Sequence, residues 1–356
     1  MIVARVVPGS PAAEAGIVPG AEVTTWNGAA IAAALEAVDL AQPAAARVAT
    51  DEYRRLEQVR LLTRPPEQAT ATLDYRNPGA TEWQSARLTA EADGLEGLDL
   101  VDFAPLPSAE DEAAVIAAKS VGPYGYIRMA ALADLKDLSR SPEFIWDAYA
   151  GAIADFGRAG APGLILDIRG NHGGYDILAE MICGTLYQRP AFYEATVFYD
   201  AATGQFRRIT VDDRTGMEVE ALMIEPGDPQ FTGPVAILVN PRSISSAEGL
   251  AHCVRDREDG AVVGFHGTRG SFGLAGGEIA LPGGIVLHYP DGYAVDAAGR
   301  VLIDSRNGVG GVAPTVRVPM TEETVLAYAR GVDVELDAAV RWLDARNRAG
   351  SGAARP

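Results

Sequence analysis

"GPVAILVNPRSISSAEGLAHCVRD", residues 233–256, is the stretch whose reading decides the fold. "GPVAILVN" leaves a Gly-Pro turn as an unbroken apolar run, the pattern of a strand buried on both faces. "SISSAEG" (243–249) then holds three serines in four positions, an alanine and a glutamate, and "SSAEGLAHCVRD" carries the apolar spacing of a helix. A buried strand that runs through a serine-rich turn into a helix is a unit of an α/β sheet. Such sheets place their ligand sites beyond the carboxyl ends of the strands.

The same unit recurs upstream. "PGLILDIR" (162–169) reads as a buried strand, "RGNHGG" (169–174) as a glycine turn and "YDILAEMICGTLY" (175–187) as a helix. "GYIRMAAL" (125–132) is a further strand, and "SPEFIWDAYAGAIADFGRAG" (141–160) a helix capped by Ser141 with Pro142 at its first position. "GAVVGF" (260–265) adds another strand. "GGEIALPGGIVLHYPDGYAV" (276–295) reads as antiparallel strands and residues 321–348 as closing helices. Strands alternating with helices predict a mainly parallel sheet.

The N-terminal part differs. "IVARVV" (2–7) is an apolar, strand-like run, and a Pro/Gly turn leads into a short helix ending at Gly16. A strand and a tight Asn27-Gly28 turn follow. Residues 32–68 are helical in pattern, and "ATATLDYR" (69–76) and "EWQSARLT" (82–89) form a hairpin around "NPGAT". The expected organisation is a β-rich module over 1–90, a linker over 91–118, an α/β core over 119–345 and a disordered tail over 346–356.

Composition narrows the function. The 356 residues carry a formal net charge of −18, which disfavours a nucleic-acid partner, since phosphate binding needs clustered Lys and Arg. No apolar run is long enough to span a bilayer, and no signal peptide opens the chain. The default location is therefore soluble and cytoplasmic. Cys183 and Cys253 read as buried free thiols, and no Cys/His cluster has metal-ligand spacing. No cofactor is expected.

The two turns carry the chemistry. Glycines between a strand and a helix leave backbone N–H groups able to bind an anion or a developing oxyanion. A serine entering the next helix lies in the same field. Alone, "NHGG" is compatible with tight packing, and a serine at a helix start with a simple cap. Two such turns at successive crossovers favour a site.

These residues resemble the carboxyl-terminal processing (tail-specific) serine proteases and the related core of tricorn protease. "VVPGSPAAEAGIVPGAEVTTWNG" is similar to the family's PDZ-type module. "YGYIRM" with "GLILDIRGNHGG" is similar to its core strand and glycine turn, and "GPVAILVNPRSISSAEGLAHCVRD" to its nucleophile strand and serine turn. "LPGG" and "GVGGVAPTVRV" are similar to its closing segment. The resemblance implies a crotonase-like ββα core with a PDZ-like module. It also implies peptide-bond hydrolysis through an acyl-enzyme on Ser245, with Gly173 and Ser246 N–H groups as the oxyanion hole. Ser243 would line the turn, Glu248 would be structural, and Asp256 would support the fold. The substrate would be a peptide or protein in extended conformation, presented by strand addition.

The base departs from the family pattern. The processing proteases use a lysine after the strand that follows the nucleophile helix. Here that segment is "GFHGTRGSFG" (264–273), and the only lysines in the chain are Lys119 and Lys136. Arg269 cannot serve, since guanidinium keeps its proton. The tricorn-like branch uses a histidine ahead of the PDZ-like module, supported by a carboxylate near the closing segment, where Asp304 stands. The chain begins inside that module, so a truncated start is expected, and an upstream start would allow a periplasmic or secreted location. Of the histidines, His266 is the first substitute base and His172 the second, while His252 reads as structural and His288 lies on an antiparallel strand. Two other readings stay open: a catalytically inactive peptide-binding protein of the same fold, and a non-proteolytic ester or amide hydrolase.

Overall fold

A computed structural model describes residues 1–40, 48–93, 114–133, 142–212, 215–305 and 311–353. Lys136, Ser141 and most of the expected linker lie outside the described residues. The chain divides into two compact units, 1–106 with 318–337 and 107–317 with 338–356. The first unit thus takes in 318–337, a segment that the sequence pattern attached to the core.

In the first unit, β1 (Glu22–Trp26), β2 (Ala29–Ala30), β3 (Thr70–Arg76) and β4 (Gln84–Thr89) form an antiparallel sheet in the order β2-β1-β3-β4. Asn27 and Gly28 both have positive φ, 50° and 78°, which suits the two-residue turn joining β1 to β2. β3 alternates, burying Ala71, Leu73 and Tyr75, of which Leu73 and Tyr75 pack with Ile17, Ala21 and Val23. The expected first strand over 2–7 reduces to one bridge, Ile2 with Glu22, although Val3 N–H still donates to Ala21 O at 2.9 Å. Ser10 caps the short helix Pro11–Glu14, and helices Ile31–Glu36 and Asp51–Leu62 fill the helical segment.

The second unit is built on a six-stranded sheet. Its strands are β5 (Ile116–Val121), β6 (Tyr124–Met129), β7 (Leu164–Asp167), β13 (Val235–Leu238), β14 (Gly260–Gly264) and β17 (Val316–Arg317). The order is β17-β14-β13-β7-β6-β5; all neighbours are parallel except the β5–β6 hairpin. β5 begins at residue 116, inside the expected linker. β7 and β13 are buried at every position, as their apolar runs require.

The helix Glu143–Ala159 buries Ile145, Tyr149, Ile153 and Phe156 on the core. Pro142 is its N-cap residue rather than its first helical one. Helices Asp176–Gly184 and Ser246–Arg255 follow β7 and β13, as the two strand–turn–helix units predict. A second sheet carries β8 (Ala191–Asp200), β12 (Leu222–Ile224), β15 (Leu274–Leu281) and β16 (Ile285–Val295) in the order β12-β8-β16-β15, with β9 (Gln205–Arg208) on β8, and β10 (Thr210–Val211) pairs separately with β11 (Glu218–Val219). The last helix runs Val334–Ala353, through residues expected to be a disordered tail.

Gly260 shows how tightly β14 enters this core: a β-carbon there would lie 1.8 Å from Val254 O. The Val254 backbone cannot yield cheaply, and Arg257 Cβ closes the space beside it at 3.0 Å. Gly260→Ala should therefore lower unfolding free energy by about 3 kcal/mol, the upper end of overpacking losses. Urea titration of the two proteins checks it.

Candidate active site

The parallel register sets Leu238 level with Asp167 and with Val263. The loops that leave β7, β13 and β14 therefore emerge side by side from one end of the sheet. Those after β7 and β13 are fastened to each other. Ile168 N–H donates to Leu238 O at 3.1 Å, Gly170 N–H to Asn240 Oδ1 at 3.0 Å, and Ile244 N–H to Asn171 O at 3.0 Å. Ser243 Oγ donates to Ile168 O at 2.7 Å and accepts from Asn240 N–H at 3.2 Å. Ser246 Oγ donates to Gly174 O at 2.9 Å.

Two of the three serine hydroxyls are thus engaged with the opposite loop. Ser245 differs. Its backbone sits at φ 57°, ψ −133°, a region costly for any residue with a side chain. Its side chain faces the Glu248 backbone N–H as one half of a capping box and donates to neither neighbouring loop. The helix is tied from the other direction, by Ser245 N–H donating to Glu248 Oε2 at 3.3 Å. Gly173, at φ 78°, packs directly on Ser245. A β-carbon at 173 would lie 2.6 Å from Ser245 Cβ and 3.2 Å from its Oγ.

Glu248 is fully buried and collects three further donors: Thr268 Oγ1, Gly270 N–H and Ser271 N–H, each at 2.6 Å. Burial pushes its pKa above the usual carboxylate range, against the pull of the four donors. Thr268 Oγ1 in turn accepts from Val312 N–H at 2.7 Å. The serine turn, the loop after β14 and the closing segment are connected through this one side chain.

Beneath the glycine turn lies a second buried carboxylate. Asp167 accepts from Arg169 Nε at 3.0 Å, Arg169 N–H at 3.0 Å, Arg169 Nη2 at 2.5 Å and Tyr126 Oη at 2.7 Å. Burial raises its pKa, but the Arg169 charge and these bonds outweigh it and hold the carboxyl below its ordinary value. Asn171 is buried as well. Its Nδ2 donates to Met129 O at 2.9 Å, and its Oδ1 accepts from Gly173 N–H at 2.8 Å. The Gly173 N–H, expected as an oxyanion donor, is in this conformation given to Asn171.

The other expected residues fall as follows. His266 lies two residues beyond β14 and is half-buried. Asp304 is half-buried and follows Ile303, a β-branched residue at φ 52°. His172, beside Gly173, is only partly shielded from solvent; that partial desolvation lowers its pKa, and the charges of Arg242 and Arg269 lower it further. His252 Nδ1 is 3.4 Å from Asp256 Oδ2 on its own helix, and His288 Nδ1 is 3.2 Å from Glu278 Oε1 on the neighbouring strand β15. Lys119 stacks over the Tyr126 ring at 5.2 Å on the edge strand β5. Strands β6 and β7 separate it from β13, a distance of roughly 14 Å at the usual strand spacing. Among the described residues no group of three or more His, Cys, Asp or Glu could hold a metal, and no helix is long and apolar enough to cross a membrane.

The sequence reading gave Glu248 only a structural place in the first helical turn and passed over Asn171, Arg242 and the Asp167–Arg169–Tyr126 cluster. The signal for Asp167 was present: an acid and an arginine interrupting an otherwise apolar strand end.

A model of peptidase family S41 matches residues 123–318. Among solved structures, mature CPAF complexed with lactacystin superposes with a TM-score of 0.60 at 16% identity, covering 97% of this chain and 79% of that one. A putative peptidase from Parabacteroides merdae superposes with a TM-score of 0.50 at 18% identity, covering 82% and 83%. No curated protein matches in sequence.

Two outcomes follow from the buried carboxylates. In Glu248→Gln one carboxylate oxygen becomes an amide N–H₂ that must face N–H or O–H donors. Thermal unfolding should show a loss of about 2 kcal/mol, the scale of leaving a buried polar group unsatisfied. Asp167 has a depressed pKa in the fold. Its contribution is therefore present above the unfolded value near ~3.9 and lost as pH falls through the folded one. Measured by denaturation at several pH values, the stability advantage over Asp167→Asn should shrink below about pH 4.

Proposed function

This chain belongs to peptidase family S41 and is a serine peptidase, and we propose that its nucleophile is Ser245. The observation that carries this reading is the Ser245 backbone at φ 57°, ψ −133°. Strain at a strand-to-helix turn is the device that projects a serine hydroxyl above a sheet of this kind. Ser243 and Ser246 hold the turn with their hydroxyls, leaving Ser245 the one suited to attack.

In the proposed reaction Ser245 Oγ attacks the scissile carbonyl carbon and its proton passes to the base. The tetrahedral oxyanion is received by the N–H groups of Ser246 and Gly173. For Gly173 this requires its N–H to leave or share Asn171 Oδ1. The C–N bond breaks, the amine departs with the proton, and water hydrolyses the ester on Ser245. His266 is proposed as the base and Asp304 as its supporting acid. The β-rich unit over 1–90 is proposed as a PDZ-like module that adds an extended peptide as a strand.

Ser245→Ala should abolish labelling by a fluorophosphonate probe, with thermal stability unchanged to within about 1 kcal/mol. Labelling that persists in the variant overturns the assignment. The pH profile separates the bases. Activity requires a neutral imidazole, so it should rise with pH, and His266→Ala should remove both activity and that limb. If His172 were the base instead, its lowered pKa would carry activity to pH values below the ordinary imidazole range, and His172→Ala would remove it. A chain that takes the probe but turns over esters and no peptide would favour the ester or amide hydrolase reading.

A further inference from the structure

We propose that Arg242, Arg269 and His172 form a subsite for a carboxylate of the substrate, beside the carbonyl that Ser245 attacks. The inference rests on Ser245 being the nucleophile. It names a substrate class that the family assignment does not.

The chain holds 48 acidic residues against 30 Lys and Arg, so an anionic peptide meets a repulsive molecule at long range. The loops around Ser245 reverse that sign. Each of the three that meet at the end of the sheet contributes a cationic or ionisable residue with a fixed backbone. Arg242 N–H donates at 3.0 Å to Asn240 Oδ1, the same oxygen that accepts Gly170 N–H. Arg269 N–H donates at 3.1 Å to Ser243 O, two residues before Ser245. His172 immediately precedes Gly173, the glycine packed on Ser245. The His172 side chain is exposed and both arginines are partly exposed.

The electrostatics agree with this placement. Both arginines have contacts of their own, so what matters is the net field that they leave. At His172 that field is positive: beyond burial, the charges acting on the imidazole are those of Arg242 and Arg269, and both disfavour its protonation. A carboxylate entering there would gain charge-assisted bonds to guanidinium forks whose geometry matches it. The N-terminus of helix Ser246–Arg255 adds a favourable dipole. The carboxylate has two sources: an acidic side chain near the scissile bond, or the free C-terminus of a short substrate.

The test uses the full-length Ser245→Ala chain and four fluorescein-labelled peptides. They carry Glu or Gln at one position near the centre, and each is made as the free acid and as the amide. Anisotropy should give a Kd at least about tenfold lower for an anionic peptide than for the Gln amide, the scale of one charge-assisted bond. The Glu/Gln pair assigns the preference to the side chain, and the acid/amide pair to the C-terminus. Arg242→Gln with Arg269→Gln should bring the ratio to about 1. If that double variant unfolds, Arg242→Gln alone and a salt titration decide, since the preference should shrink between about 50 and about 500 mM NaCl. Equal Kd for all four peptides, or a preference that survives loss of the arginines, overturns the proposal. Failure of the nucleophile assignment appears separately, as fluorophosphonate labelling that survives Ser245→Ala.

Discussion

The Glu248 carboxylate accepts Ser245 N–H from the serine turn, and Thr268 Oγ1, Gly270 N–H and Ser271 N–H from the loop after β14. A buried carboxylate is costly unless its lone pairs are filled. Here they are filled by groups that would otherwise be orphans themselves: a backbone N–H in a strained turn and two in an irregular loop. Remove the acceptor, and the strained Ser245 turn loses the one side chain that joins its N–H to the Gly270 and Ser271 N–H groups of the loop that carries Arg269 and follows His266. The strain at Ser245 and the burial of Glu248 are two sides of one arrangement.

Beneath that arrangement the sheet supplies register. Four buried residues in β7 and four in β13 align Asp167 with Leu238, and from that level the two loops zip together through backbone and side-chain bonds. The buried Asp167–Arg169 pair and the Asn171 carboxamide then shape the glycine turn from below. Apolar burial brings the strands together without regard to fine position. The polar groups at their ends convert that coarse alignment into contact between Gly173 and Ser245.

The sequence was most readable where one interaction dominated. "GLILDI" and "GPVAILVN" are apolar at nearly every position, and burial on both faces leaves few alternatives, so β7, β13 and the helices after them fell where expected. β5 was hidden because "IAAKSV" is half-exposed, with Lys119 at its centre, and pairs only at an edge. Residues 2–7 have a strand's composition but donate to their neighbours at too few points to form one. In the site, the serine turn was legible from residue types and from family resemblance. The capture of Gly173 N–H by Asn171 was not, because it depends on which way a carboxamide faces. Nor was the meeting of His172, Arg242 and Arg269, which are as much as 97 residues apart in "NHGG" to "GTRG" and are joined only by the ends of three strands.

The groups that fasten the three loops are backbone atoms and the side chains of Asn171, Asn240, Ser243, Ser246, Glu248 and Thr268, and all six are buried. His172 and Arg242, the positions proposed to meet the substrate, alternate with these anchors along the chain and are at least partly exposed. In that reading the site is modular at the level of single residues: what fixes its geometry and what a substrate would touch are interleaved but distinct. Such an arrangement lets the touching positions diverge one at a time while the geometry is inherited intact, a property that favours the spread of new preferences over one old scaffold.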